Sequence, residues 1–111
     1  MLVKGKDMKI EYNYGFELVQ EIIKLKWVPE ILAAISEGYN GYNEILDSIP
    51  FLSNTELNRK LTVLVEKNAV EKCILADNRT SYSILPFGKD LDHIFKHLAD
   101  LEEKYLRVTS A

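Results

Sequence analysis

Ser48-Ile49-Pro50-Phe51-Leu52-Ser53-Asn54-Thr55-Glu56-Leu57-Asn58-Arg59-Lys60-Leu61-Thr62-Val63-Leu64-Val65 is the stretch on which the fold turns. Just upstream, Tyr42, Ile45, Leu46 and Ile49 recur at helical spacing, and Pro50 ends that short helix. Ser53-Asn54-Thr55-Glu56 then has the capping-box pattern. Ser53 can accept from the Glu56 amide, and the Glu56 carboxylate can reach back to Ser53. A second helix follows with Leu57, Leu61, Leu64 and Val65 on its inner side, and Asn68 suits the left-handed position that closes it. A short helix joined by a tight turn to a capped amphipathic one is the helix-turn-helix pattern.

Downstream, Val70 to Leu75 and Thr80 to Leu85 are β-prone runs flanking the turn residues Asp77-Asn78, which reads as a hairpin. Pro86 and Gly88 open a long helix. Its apolar residues Leu91, Ile94, Leu98, Leu101 and Tyr105 alternate spacings of three and four, a heptad seam that Phe95 broadens. Upstream, Phe16, Val19, Ile22 and Ile23 mark a first helix, widened by Leu18 and Leu25. Trp27-Val28-Pro29 interrupts it. The next helix carries Val28, Ile31, Leu32 and Ile35 and stops near Gly38. Residues 1–13, where Lys4, Lys6 and Lys9 alternate with Asp7 and Glu11, read as a loosely ordered arm, and 14–111 as one domain. The fold class is therefore α+β, mostly helical, with a hairpin wing after the capped helix and a long C-terminal dimerisation helix.

The chain has 111 residues, room for one core and little more. Its longest aliphatic run, Ile31 to Ile35, is far too short to span a bilayer, and no signal-peptide pattern opens the sequence. The single cysteine, Cys73, cannot form an internal disulfide or a cysteine metal cage, so the cytoplasm is the expected compartment. The net charge is −3, which counts against binding a polyanion. Distribution matters more than the sum. Between Ser53 and Arg79 five basic residues (Arg59, Lys60, Lys67, Lys72, Arg79) stand against four acidic ones (Glu56, Glu66, Glu71, Asp77), leaving the rest of the chain at −4.

With Leu57, Leu61 and Leu64 inward on the capped helix, Thr55, Arg59 and Thr62 point the opposite way, flanked by Asn58. Asn and Arg can pair bidentately with purine edges, and Thr can touch a thymine methyl. Any surface helix can carry such a polar face; the preceding turn and following hairpin are what point it at duplex DNA. On this reading Thr55, Asn58, Arg59 and Thr62 approach base edges. Ser53 and Asn54 sit at a phosphate, and Arg79 serves the wing.

The sequence resembles the HxlR-type winged-helix regulators of bacteria and archaea, relatives of the MarR-type regulators. The likeness runs from about Tyr14 to Tyr105. It is carried by Lys26-Trp27 with Ile31-Leu32, by Glu37-Gly38 and Tyr42-Asn43-Glu44-Ile45, by Ser48-Ile49-Pro50, and by Leu52-Ser53 followed by Leu57, Arg59 and Leu61. Further on, Leu64, Glu66-Lys67, Val70-Glu71-Lys72, Tyr82-Ser83-Ile84 and Pro86-Phe87-Gly88-Lys89 fit in the same order. The resemblance implies a homodimer, paired through its N- and C-terminal helices, that binds an inverted-repeat operator. The residues agree: Phe16 and Val19 on the first helix and Leu91, Ile94, Leu98, Leu101 and Tyr105 on the last are the expected dimer contacts. The sequence also departs from the pattern. Redox-sensing members have a cysteine before the first helix, where this chain has Tyr14. Asn40-Gly41 stands where basic residues are common, and Leu85 where a Thr often caps the last helix.

Other features read as structure. Cys73 is expected to be a buried small hydrophobe, and Trp27 an anchor where the first two helices meet. His93 and His97 are spaced to share a metal but lie off the seam without a third ligand, so no metal and no cofactor is expected. Tyr39 and Tyr42 leave room for an unknown small-molecule effector. No nucleophile elbow, phosphate loop or metal-protease motif is present, so no catalytic residues and no enzyme are expected. The sequence reading is a sequence-specific DNA-binding transcriptional regulator. The alternatives are a protein–protein interaction module of the same fold, or an effector-dependent sensor with weak DNA binding.

Overall fold

The computed structural model describes residues 14–106, with side chains from residue 17 onward. The proposed arm, residues 1–13, and the side chain of Phe16 lie outside the described residues. The element order is α1 (Tyr14–Ile23), α2 (Val28–Ser36), α3 (Tyr42–Ser48), α4 (Asn54–Glu66), β1 (Val70–Ile74), β2 (Thr80–Ile84) and α5 (Pro86–Leu101). A π-helical turn, Glu102–Leu106, follows α5.

Helix α2 sits at the centre, packed by α1, α3, β2 and α5. Its Val28, Ile31, Leu32, Ala34 and Ile35 are all buried, each large side chain contributing about 1.5–3 kcal/mol. Trp27 begins the helix from a left-handed backbone (φ +76°) and is partly buried against the core, as expected of an anchor. The Lys26 ammonium lies 5.1 Å from its ring centre. Gly38 stops α2 at φ +107° with open space around its Cα, so it is the backbone angle that asks for glycine there.

Around α2 close Ile45 and Ile49 from α3 and its end, Leu57, Leu61 and Leu64 from α4, Val70 and Tyr82 from the hairpin, and Leu91 and Phe95 from α5. The hairpin is antiparallel, with Val70 opposite Ile84 and Ile74 opposite Thr80. Its ladder continues to Leu75–Arg79, and a Leu75–Asn78 turn with Asn78 at φ +69° closes it. Asn68 closes α4 at φ +63°, as expected.

Gly88 has a different reason from Gly38. A Cβ there would lie 2.1 Å from the Ala69 carbonyl oxygen and 2.8 Å from an Ile84 side-chain carbon. The start of α5 is pressed onto the α4–β1 turn, where Leu85 donates to the same Ala69 carbonyl at 3.0 Å. Leu85 caps α5 without a side-chain hydrogen bond, as its apolar chemistry requires.

Three expectations are corrected. Leu91 is fully buried within the subunit and cannot belong to a dimer contact; Phe95 is likewise inward. The α5 stripe splits because its first half faces α2 and only its second half leaves the core. Cys73 is exposed: the two-stranded sheet projects beyond the core, and only Val70 of β1 is buried. The capping box at α4 is half made, because Glu56 turns to Lys60 instead of back to Ser53.

Candidate nucleic-acid interface

Ser53 is extended, and its hydroxyl accepts from the Glu56 amide at 3.2 Å, satisfying one of the free amides of α4. The Glu56 carboxylate accepts instead from Lys60 Nζ at 2.8 Å. The hydrogen bond and charge of Lys60 hold Glu56 below the usual carboxylate range. The pair also occupies Lys60, whose side chain is only 13% exposed, so this cation is not free to meet a phosphate.

The start of α4 is fixed from the other side by α3. The Tyr42 hydroxyl lies 3.0 Å from Asn54 Oδ1 and 3.2 Å from the Asn54 carbonyl oxygen, donating to them across the turn. Asn54 therefore keeps its amide NH2 for another partner. Along the outward face, Thr55, Asn58, Arg59 and Thr62 are all exposed. Thr62 donates its hydroxyl to the Asn58 carbonyl at 2.8 Å, which leaves its methyl as the group to offer. The side chains of Thr55, Asn58 and Arg59 make no hydrogen bond or ion pair among the described residues. Beside them an open cleft of about 500 Å³ is lined by Leu25, Asn58, Arg59, Lys60, Thr62 and Val63.

The wing is set at its angle by Asn40. Its amide Nδ2 donates to the Tyr82 carbonyl and its own carbonyl accepts from the Tyr82 amide, both at 2.8 Å. Gly41 bridges Ser81. The Glu44 carboxylate accepts from the Gly41 amide at 3.0 Å and the Asn40 amide at 3.2 Å, the reciprocal half of a capping motif. Asn40-Gly41 thus joins wing to α3. At the wing tip Arg79 is bound to its own turn: Nε donates to Asp77 Oδ2 at 2.6 Å and its amide to Oδ1 at 3.2 Å. The guanidinium stays three-quarters exposed, but its charge is partly offset.

The sequence-derived residues therefore fall into two groups. Ser53, Asn54, Thr55, Asn58, Arg59 and Thr62 share one exposed helix end and face, and Arg79 stands apart on the wing. The Tyr42 latch, the Asn40 clamp and the Asp77 partner of Arg79 escaped the sequence reading. Tyr42 and Asn40 act on residues 12 and 42 positions away, beyond any local periodicity. The Asp77-Asn78-Arg79 spacing was visible and could have been read as a turn pair.

A second surface carries exposed apolar side chains. Ile94, Leu98 and Leu101 on α5, Tyr105 and Leu106 on the π turn, and Leu18 on α1 are exposed, while Val19 is half-buried. Asp92, buried on α5, accepts from Lys96 Nζ at 2.9 Å and holds that ammonium above the usual lysine range. The cleft at Tyr39, lined also by Glu30, Ala33, Glu37 and Pro50, holds about 240 Å³, less than ligand pockets of roughly 300–1,000 Å³. His93 and His97 are exposed, and among the described residues no group of three metal-ligating side chains gathers. No described helix is long and apolar enough to cross a membrane.

The model of the HxlR-like helix-turn-helix family matches residues 22–110. The chain belongs to that family. No match was found among curated proteins. Solved structures share the fold. The reduced form of the transcriptional regulator YodB from B. subtilis superposes with a TM-score of 0.78 at 19% identity, covering 87% of this chain and 97% of that one. The redox regulator HypR in its oxidized form gives 0.72 at 21%, covering 85% and 99%. A candidate HxlR family transcriptional factor from Thermoplasma volcanium GSS1 gives 0.66 at 21%, covering 91% and 95%. Identities this low speak for the winged helix-turn-helix architecture of this HxlR-family chain and for nothing finer.

Proposed function

We propose that this HxlR-family regulator binds duplex DNA sequence-specifically, as a homodimer on an inverted-repeat operator. The observation that carries this reading is the outward face of α4, where Thr55, Asn58 and Arg59 are exposed with their hydrogen-bonding groups uncommitted among the described residues. A helix presented this way can enter the major groove by its N-terminal end. Arg59 and Asn58 would read purine edges, and Thr55 and the Thr62 methyl would meet neighbouring bases. Ser53 and the free amide of Asn54 would meet a phosphate at the helix start. Arg79 would reach the backbone from the wing, weakened by Asp77. No bond is made or broken; the mechanism is differential affinity.

The homodimer reading is supported by the exposed apolar row Ile94, Leu98 and Leu101 on α5. A monomeric soluble protein rarely leaves such a row in water, and a two-fold dimer covers it with itself. The two α4 helices of such a dimer would meet successive major grooves about 34 Å apart.

Selection of duplexes from a randomised pool by the full chain tests the proposal. The expected product is a two-fold symmetric motif. A pool that stays unenriched after repeated rounds with folded protein would instead favour the protein-interaction module, a reading for which the net charge of −3 speaks.

A further inference from the structure

Phe51 is the residue that neither packing nor backbone geometry accounts for. Its side chain is 96% exposed, more than any other large hydrophobic among the described residues. Its φ is +70°, a left-handed conformation in which a bulky side chain is strained. Three other non-glycine residues share that region. Asn68 and Asn78 tolerate it by chemistry, and Trp27 is repaid by packing against the core. Phe51 has neither compensation. The turn itself is held by its neighbours: Leu52 is buried and donates to the Ile49 carbonyl at 3.4 Å. Strain retained without internal return points to a contact outside the subunit.

We infer that Phe51 is an apolar DNA contact at the edge of each half-site, its ring lying against thymine methyls or deoxyribose beside the N-terminal end of α4. The inference rests on the DNA-binding reading above. Phe51 stands two residues before the Ser53 cap, continuous with the surface assigned to Ser53, Asn54 and Thr55. From Ser48 to Thr55 the turn itself carries no charged side chain; Glu30 and Glu37 stand on its Pro50 side and Glu56 is paired with Lys60. Pro50 is exposed beside Phe51, and Tyr39 lines the same cleft as Ile49 and Pro50; the other exposed large hydrophobics lie on the wing, on α5 and its π turn and on α1. Phenylalanine is among the side chains that meet thymine methyls, and the place of Phe51 just before the α4 cap sets the ring beside the helix end proposed to enter the groove.

The test uses the full chain, a duplex selected by the wild type, and anisotropy titrations with thermal melts. Phe51→Gly relieves the backbone and removes the ring; Phe51→Tyr keeps the ring. Expected for Phe51→Gly is a melting temperature no lower than wild type, with affinity about tenfold weaker for the loss of apolar contact. Its salt slope should be unchanged, because no phosphate contact is lost. Phe51→Tyr should bind within about twofold of wild type on the same ground. Replacing thymines by uracils then separates the two sources. If the methyl is met, uracil weakens the wild type more than Phe51→Gly; if the sugar is met, uracil weakens both alike, by whatever Thr55 and Thr62 lose. Wild-type affinity in Phe51→Gly would overturn the inference, as would weakened binding accompanied by a lower melting temperature. Should Phe51→Gly bind normally while Arg59→Ala does not, the inference fails and the DNA reading stands; should no duplex be selected at all, the DNA reading itself fails.

Discussion

Helices α4 and α5 are both amphipathic, and both bury leucines in the core around α2, yet the subunit covers their apolar stripes unequally. On α4 the residues turned away from Leu57, Leu61 and Leu64 are Thr55, Asn58, Arg59 and Thr62, which water can solvate. On α5 the apolar stripe itself outruns the core: Leu91 and Phe95 are buried, while Ile94, Leu98 and Leu101 on the same side of the helix stay exposed to water. A solvated polar face can wait for an intermittent ligand. An exposed apolar row costs about 25 cal/mol per Å² left in water, so it calls for a standing partner. The molecule thus carries one surface suited to reversible recognition and another suited to standing assembly. The tip of the helix-turn-helix, Phe51, breaks that division, which is why it stands out.

The largest effect should come from the joint between the two helices. Gly88→Ala places a Cβ against the Ala69 carbonyl, which is backbone and cannot swing away. A loss of about 3 kcal/mol or more is expected in chemical denaturation; a loss under about 1 kcal/mol would show that α5 docks more loosely than described. Next comes the assembly surface. Leu98→Glu should convert a dimer to a folded monomer in analytical ultracentrifugation. It should also weaken operator binding by about a hundredfold or more, since two half-sites are then no longer bound as one. A dimer that survives this change would move the interface off α5.

At the recognition surface, Arg59→Ala should weaken operator binding by about 1–3 kcal/mol and relax the choice at one base position. Melting should be unaffected, because Arg59 is exposed and makes no ion pair among the described residues. Asp77→Asn should act in the opposite direction. Freeing the Arg79 guanidinium should tighten binding by about 0.5 kcal/mol at low salt, and unchanged affinity in the titration would take the wing tip out of the interface. The smallest effect concerns the Glu56–Lys60 pair. The native state lowers the pKa of Glu56 from its ordinary 4.5. The pair's stabilisation is therefore present above that value and is lost as pH falls through the lowered one. Melting temperatures of wild type and Glu56→Gln should differ at neutral pH and converge in acid. A constant difference across that range would mean that the pair does not set the titration.

Local rules were readable in the sequence. Ser53 caps α4, Asn68 closes it, Asn78 turns the hairpin and Gly38 ends α2 because each depends on its own backbone and a neighbour or two. What was not readable depended on tertiary partners. The heptad pattern made Leu91 a seam residue, but a three-and-four stripe on one helix does not say where the core ends, and α2 claims its first turns. Cys73 looked like a buried strand residue, but a two-stranded sheet has too little cover to bury its far end. Glu56 had two partners within reach, Ser53 and Lys60, and charge decided for Lys60. The candidate face on α4 followed from the leucine register, whereas the Tyr42 latch that orients it and the strain at Phe51 came only with the folded backbone.

The measurement that bears most directly on the account is a salt series of anisotropy titrations. It would compare the wild-type chain on its selected duplex and on a scrambled duplex of equal length. The account predicts a preference for the selected duplex of about a thousandfold or more. It also predicts a logarithmic salt slope of about −0.9 for each phosphate neutralised, on both duplexes. Equal affinity for the two duplexes, or binding indifferent to salt, would contradict it.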